Sequence, residues 1–135
     1  MRRSLVLLVV VSAFVCCLVI AARPHSAAAE GKPGMVLRHI VMYKFKDDLK
    51  PEQVQEVVDT FAALPSKIDV IVGFEHGTNV SQEGKSEGFT HVFTVTFRDQ
   101  AGLEKYLVHP AHLDYVKVVR DRREKVVVFD YWTKE

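Results

Sequence analysis

The sequence predicts an α+β domain of ferredoxin-like type, βαββαβ, with a four-stranded antiparallel sheet and helices on one face. Three observations carry this reading. Four segments rich in β-branched and aromatic residues bracket two helical stretches in the order strand, helix, strand, strand, helix, strand. Proline stands where each helical stretch opens, ends or breaks, at Pro51, Pro65 and Pro110. The chain of 135 residues has room for one ordinary domain and not for two.

The whole-chain totals combine two unlike parts. Arg2 and Arg3 precede an 18-residue run, Leu5 to Ala22, in which Ser12 is the only polar residue. With Ala27-Ala28-Ala29 ahead of Glu30, residues 1–29 have the layout of a secretory signal peptide cleaved after Ala29. The run exceeds the ~7–15 residues of an ordinary signal core and reaches the lower limit for a membrane span. A retained N-terminal anchor is therefore the alternative, and only then is a membrane a partner. The expected location is secreted or periplasmic. Residues 30–35 read as a linker and 36–133 as the domain.

Both cysteines, Cys16 and Cys17, fall in the leader. The mature chain is thus without disulfides, thiolate nucleophiles or cysteine-bound zinc. Whole-chain charge is +1, and removing Arg2, Arg3 and Arg23 leaves 15 basic against 17 acidic residues, a net −2. That balance offers no footprint for nucleic acid.

Each element has a local cause. Val36–Phe45 reads as a strand, ended by Lys46-Asp47-Asp48. Pro51 suits the first turn of a helix carrying Val54, Val57, Val58, Phe61 and Leu64 at helical spacing, although Lys50 is a poor N-cap. Ile68–Phe74 reads as a second strand, with Gly73 and Gly77 marking a bend, and a polar loop follows from Asn79 to Gly88. Phe89–Phe97 alternates Phe89, His91, Phe93, Val95 and Phe97 with threonines and is a strand. Asp99 caps a short helix through Leu103, Tyr106 and Leu107. His109-Pro110 interrupts it, and a further helix runs through Leu113, Val116 and Val119. Lys125–Trp132 is the last strand.

The first strand is apolar on both faces: Val36, Ile40 and Met42 alternate with Leu37, Val41, Tyr43 and Phe45. Helices cover one face, and water does not favour the other. A homodimer with paired sheets answers that problem.

Among the mature histidines, His39 shares a strand face with Val41 and Tyr43, and His91 with Phe93 and Val95. Each reads either as a core histidine with one hydrogen-bond partner or as the polar end of an apolar pocket. No metal site is expected, since no two histidines have i,i+4 spacing on one helix. Tyr106 and His112 stand six residues apart, on different faces of an unbroken helix. Pro110 breaks that geometry and lets them converge. His112 then lies in a first helical turn, where the helix dipole disfavours imidazolium and keeps the ring able to accept a proton. Tyr106 can donate its hydroxyl to a carbonyl that develops charge. The competing reading is structural, with the histidines at the helix junction and Tyr106 in the core. Asp47-Asp48 and Arg120–Lys125 read as solvated edges.

In these stretches the chain resembles the stress-responsive dimeric α/β-barrel (Dabb) family. The matching residues are Arg38-His39-Ile40-Val41 through Lys44-Phe45-Lys46-Asp47, Gly73 to Asn79, Glu87-Gly88-Phe89-Thr90-His91, Tyr106 to His112, and Val128-Phe129-Asp130-Tyr131. The resemblance implies a ferredoxin-like monomer and a homodimer whose two sheets form an α/β barrel. It also points to plant members such as olivetolic acid cyclase, which closes a linear polyketide by aldol condensation, and to heat-stable stress proteins. By that likeness His112 is the base and Tyr106 the carbonyl polariser. His39 and His91 line the pocket, and Val41, Phe61 and Phe93 are expected to form its apolar wall. A small hydrophobic carbonyl compound is the expected ligand, without cofactor. A non-catalytic stress or structural dimer and a cofactor-free monooxygenase are the alternatives, the latter less well matched by the Tyr-x-x-His-Pro-x-His pattern.

Overall fold

The computed structural model describes residues 31–135; the expected leader lies outside the described residues. The elements run β1 (Met35–Phe45), α1 (Pro51–Ala62), β2 (Gly73–Thr78), β3 (His91–Phe97), α2 (Gln100–Val108), α3 (Pro110–Arg120) and β4 (Arg123–Lys134), with one 3-10 turn at Leu64–Ser66. Sheet order is β2-β3-β1-β4, and every neighbouring pair is antiparallel. This is the split βαβ arrangement: β1 lies between β3 and β4, and β3 between β2 and β1.

Local chemistry accounts for the boundaries. Lys50 does cap α1, through its backbone: its N–H donates to Gln53 Oε1 at 3.0 Å, so a glutamine three residues on compensates for the unsuited side chain. Asp99 caps α2, its carboxylate accepting from the Gly102 N–H at 2.7 Å. His109 ends α2 and caps α3, where Nδ1 accepts the Ala111 N–H at 3.1 Å.

The second strand begins later than its apolar residues suggest. Ile68 is buried in the turn after α1, its N–H bonded to Leu64 O, so it anchors a turn to the core and not a strand. The strand opens instead at Gly73. A Cβ there would stand 3.1 Å from Thr96 Oγ1, tighter than side chains normally pack, and glycine permits the approach.

The helix face holds the core. Leu37, Val41, Tyr43 and Phe45 of β1 and Phe93, Val95 and Phe97 of β3 pack under Val57, Phe61, Leu103, Tyr106, Tyr115 and Val119. Phe61 stacks on Phe93 with ring centres 4.4 Å apart. The opposite face carries Ile40, Met42, Val92, Val127, Phe129 and Tyr131 by register. Phe129 is 60% exposed and Tyr131 38%.

The expected closure into an α/β barrel is overturned. The four strands form an open sheet whose edges, β2 and β4, do not pair with each other. The reason is geometric. Closing a sheet needs enough tilted strands to bring its edges together, commonly about eight, and four twisted strands diverge at their edges.

Candidate active site

One cavity of about 280 Å³ opens between the sheet and the α2–α3 junction. Its floor is strand alternation: β1 contributes His39, Val41 and Tyr43, and β4 contributes Val126 and Val128. Its roof comes from Phe61 of α1, Tyr106 and Leu107 of α2, and His112, Tyr115 and Val116 of α3. Arg123, at the start of β4, closes one end.

The broken helix brings Tyr106 and His112 together, with ring centres 4.2 Å apart. Pro110 opens α3 and places His112 in its first turn. His112 Nδ1 lies 3.1 Å from the Leu107 carbonyl oxygen. A carbonyl only accepts, so Nδ1 carries the hydrogen and Nε2 of the neutral ring keeps its lone pair. Burial lowers the His112 pKa, and His39 and His109 add to this, against the Leu107 carbonyl, which raises it. The ring therefore favours its neutral form. Tyr106 is buried, and burial pushes its hydroxyl pKa upward, so it remains a hydrogen-bond donor across ordinary pH.

His39 is held from the other side. Its Nδ1 stands 2.6 Å from Asp130 Oδ1, and its ring meets the Tyr106 ring edge-on at 5.7 Å. Asp130 is opposite His39 in the β1–β4 register, so alternation along β4 delivers a carboxylate beside Val128 and Val126 on the cavity side. Nδ1–H donates to that carboxylate, which fixes the orientation of the ring.

His39, Val41, Phe61, Tyr106 and His112 thus line one cavity. Two residues read from the sequence do not join them. Phe93 lies behind Phe61 in the core. His91 sits at the far end of β3, against Phe45 and Thr90, and lines a separate cavity of about 420 Å³ with Met42, Phe89 and Val92. Burial lowers its pKa as well, with a further contribution from His76. Because His91 is opposite Tyr43 and not His39, the β1–β3 register separates the two histidines along the strands.

Asp130, Tyr43, Tyr115 and Arg123 went unread as site residues. The signal for Asp130 was there: one acid on the Val126, Val128 side of an apolar strand. Among the described residues, no group of three or more His, Cys, Asp or Glu could hold a metal ion.

The comparisons agree with this architecture. A family model for the stress-responsive A/B barrel domain (Dabb) matches residues 37–133. Olivetolic acid cyclase of Cannabis sativa is 35% identical over 97 residues, covering 72% of this chain and 96% of the cyclase. The structure of hydroxynitrile lyase from Passiflora edulis superposes with a TM-score of 0.71 at 27% identity, covering 76% of this chain and 97% of the lyase. A dimeric ferredoxin-like protein of unknown function from Bacteroides fragilis reaches a TM-score of 0.59 at 30% identity, over 76% and 98% of the two chains. The match spans nearly all of the described residues, and this chain belongs to the stress-responsive A/B barrel domain (Dabb) family.

Proposed function

We propose that the Tyr106–His112 cavity binds a small organic carbonyl compound and performs acid–base chemistry on it without a cofactor. The observation that carries this reading is the tautomer set by Leu107. It leaves Nε2 unprotonated on a ring whose centre is 4.2 Å from that of the buried Tyr106. Nε2 removes a proton from the carbon next to the carbonyl, and the C–H electron pair moves into an enolate. The Tyr106 O–H donates to the enolate oxygen, and the imidazolium then returns its proton or passes it to a product. In a cyclisation the enolate carbon attacks a second carbonyl of the same molecule. Similarity to a cyclase and a lyase supports chemistry of this kind on this framework.

The test is hydrogen–deuterium exchange at the acetyl methyl group of para-methylacetophenone in D2O, followed by NMR. Wild type is expected to accelerate exchange, and His112→Ala to lower the catalysed rate by about 10²–10⁴. Unchanged exchange in His112→Ala, with unchanged binding, would refute the assignment.

Self-association belongs to the same proposal. The open sheet face exposes Val127, Phe129 and Tyr131 beside Ile40 and Met42, and a dimer has been solved for the Bacteroides fragilis protein. This observation also favours the second reading, in which the dimer itself serves a stress response without catalysis. Light scattering checks it, and a monomer at high concentration would count against it. Export by the 1–29 leader is the remaining part. A mature N-terminus at Glu30 by mass spectrometry would support cleavage, and an intact N-terminus in membranes would support the anchor.

A further inference from the structure

Resting on the cavity being a binding site, we propose that its ligand carries a carboxylate-type anion at the end remote from the carbonyl, held by Arg123 and Tyr43. Donors outnumber acceptors at that end. Tyr43 is 3% exposed, and Tyr115 donates to its oxygen at 2.9 Å. Arg123 lines the same cavity as Tyr43, and its guanidinium only donates. Tyr43 therefore keeps its own O–H, which has no side-chain acceptor among the described residues. The adjacent cations differ. Arg122 is paired to Glu56 at 2.6 Å and Lys44 to Glu124 at 3.0 Å, whereas Arg123 has no carboxylate within ion-pair distance among the described residues.

The position of this donor set defines a ligand shape. Tyr43 lies four residues from His39 on the same face of β1, about 13 Å along an extended strand. The wall between them is Val41, with Val128 and Val126 across the β1–β4 ladder. One end of the cavity handles a carbonyl, the middle is apolar, and the other end offers a planar cation. A keto acid with a short apolar spacer fits all three, since a guanidinium pairs best with a carboxylate by two parallel hydrogen bonds. An unfunctionalised alkyl tail would leave the Tyr43 and Arg123 donors desolvated and unsatisfied.

The experiment compares para-acetylbenzoate with para-methylacetophenone, matched in ring and ketone and differing in the anion, by NMR titration of the full chain. Wild type is expected to bind the acid at least about tenfold more tightly, with the preference reduced by salt. Arg123→Met is expected to bring the acid down to the affinity of the neutral ketone while leaving the ketone within about twofold. Arg123→Lys should retain part of the preference, and Arg123→Gln replaces Arg123→Met if thermal melting shows that variant unfolded. Equal binding of the two compounds by wild type, or an unchanged preference in Arg123→Met, would overturn the anion end and leave the carbonyl site standing. If neither compound binds wild type, the carbonyl site falls and this inference with it.

Discussion

The two faces of the sheet are built from similar residues and end in opposite states. On the helix face Phe61 and Phe93 are fully buried and stacked, and His39 finds a carboxylate. On the open face Phe129 and Tyr131 point at solvent, 6.1 Å apart. Strand alternation alone distributes apolar residues to both sides. The difference is made by the two crossovers, which put α1, α2 and α3 over one face only. A helix roof that is broken at Pro110 also leaves a cavity beneath it, so the covered face holds both the core and the candidate chemistry. The uncovered face keeps its large apolar residues exposed.

Substitutions on the two faces should therefore behave differently. The largest effect is expected from Phe61→Ala, which removes the ring that stacks on Phe93 and packs on Tyr115 at 4.4 Å. Such a cavity costs about 3–5 kcal/mol, read as a large fall in the denaturant midpoint. Phe129→Asp on the open face should leave the monomer's fold intact by circular dichroism. It should weaken self-association by about 2 kcal/mol or more, read by sedimentation. If Phe129→Asp melted the fold as Phe61→Ala does, the two faces would not be distinct.

A smaller effect separates the faces by pH. The His112 and His91 pKa values are lowered by burial below the ordinary value of 6.5. In the window between those lowered values and 6.5 the unfolded chain binds more protons than the folded one. The stabilisation is complete above about 6.5 and is lost as pH falls through that window. His112→Gln should flatten that acid limb in denaturant titrations at successive pH values. The exchange rate should also hold to a lower pH than an ordinary imidazole allows.

The smallest difference concerns two tyrosines. Tyr115→Phe leaves the buried Tyr43 hydroxyl without its donor and should cost about 1 kcal/mol. Tyr131→Phe, at an exposed hydroxyl, should change monomer stability within about 0.5 kcal/mol.

Most of the element order could be read directly. Pro51, Asp99 and Pro110 act through backbone geometry and capping within a few residues, so their effect is local and visible in the string. The Ile68 segment reads as strand and is a turn, because a buried turn residue and a strand residue look alike in composition. The corner of Tyr106 and His112 was legible because a single proline redirects the helix. The His91 position was not, because it depends on the β1–β3 register, which pairs residues more than fifty apart in the chain. Tyr43, Tyr115 and Arg123 are hidden for the same reason. Each becomes a site residue only through a partner on another element.

By itself the sequence determined the order of helices and strands, that both sheet faces are apolar, and that a histidine and a tyrosine meet at a broken helix. These follow from periodicity and from local steric and capping chemistry. The tertiary structure alone decided that the sheet stays open, that His39 is fastened to Asp130 while His91 lies elsewhere, and that Arg123 and Tyr43 face the cavity. Those outcomes rest on strand register and edge geometry, which no short stretch of chain contains.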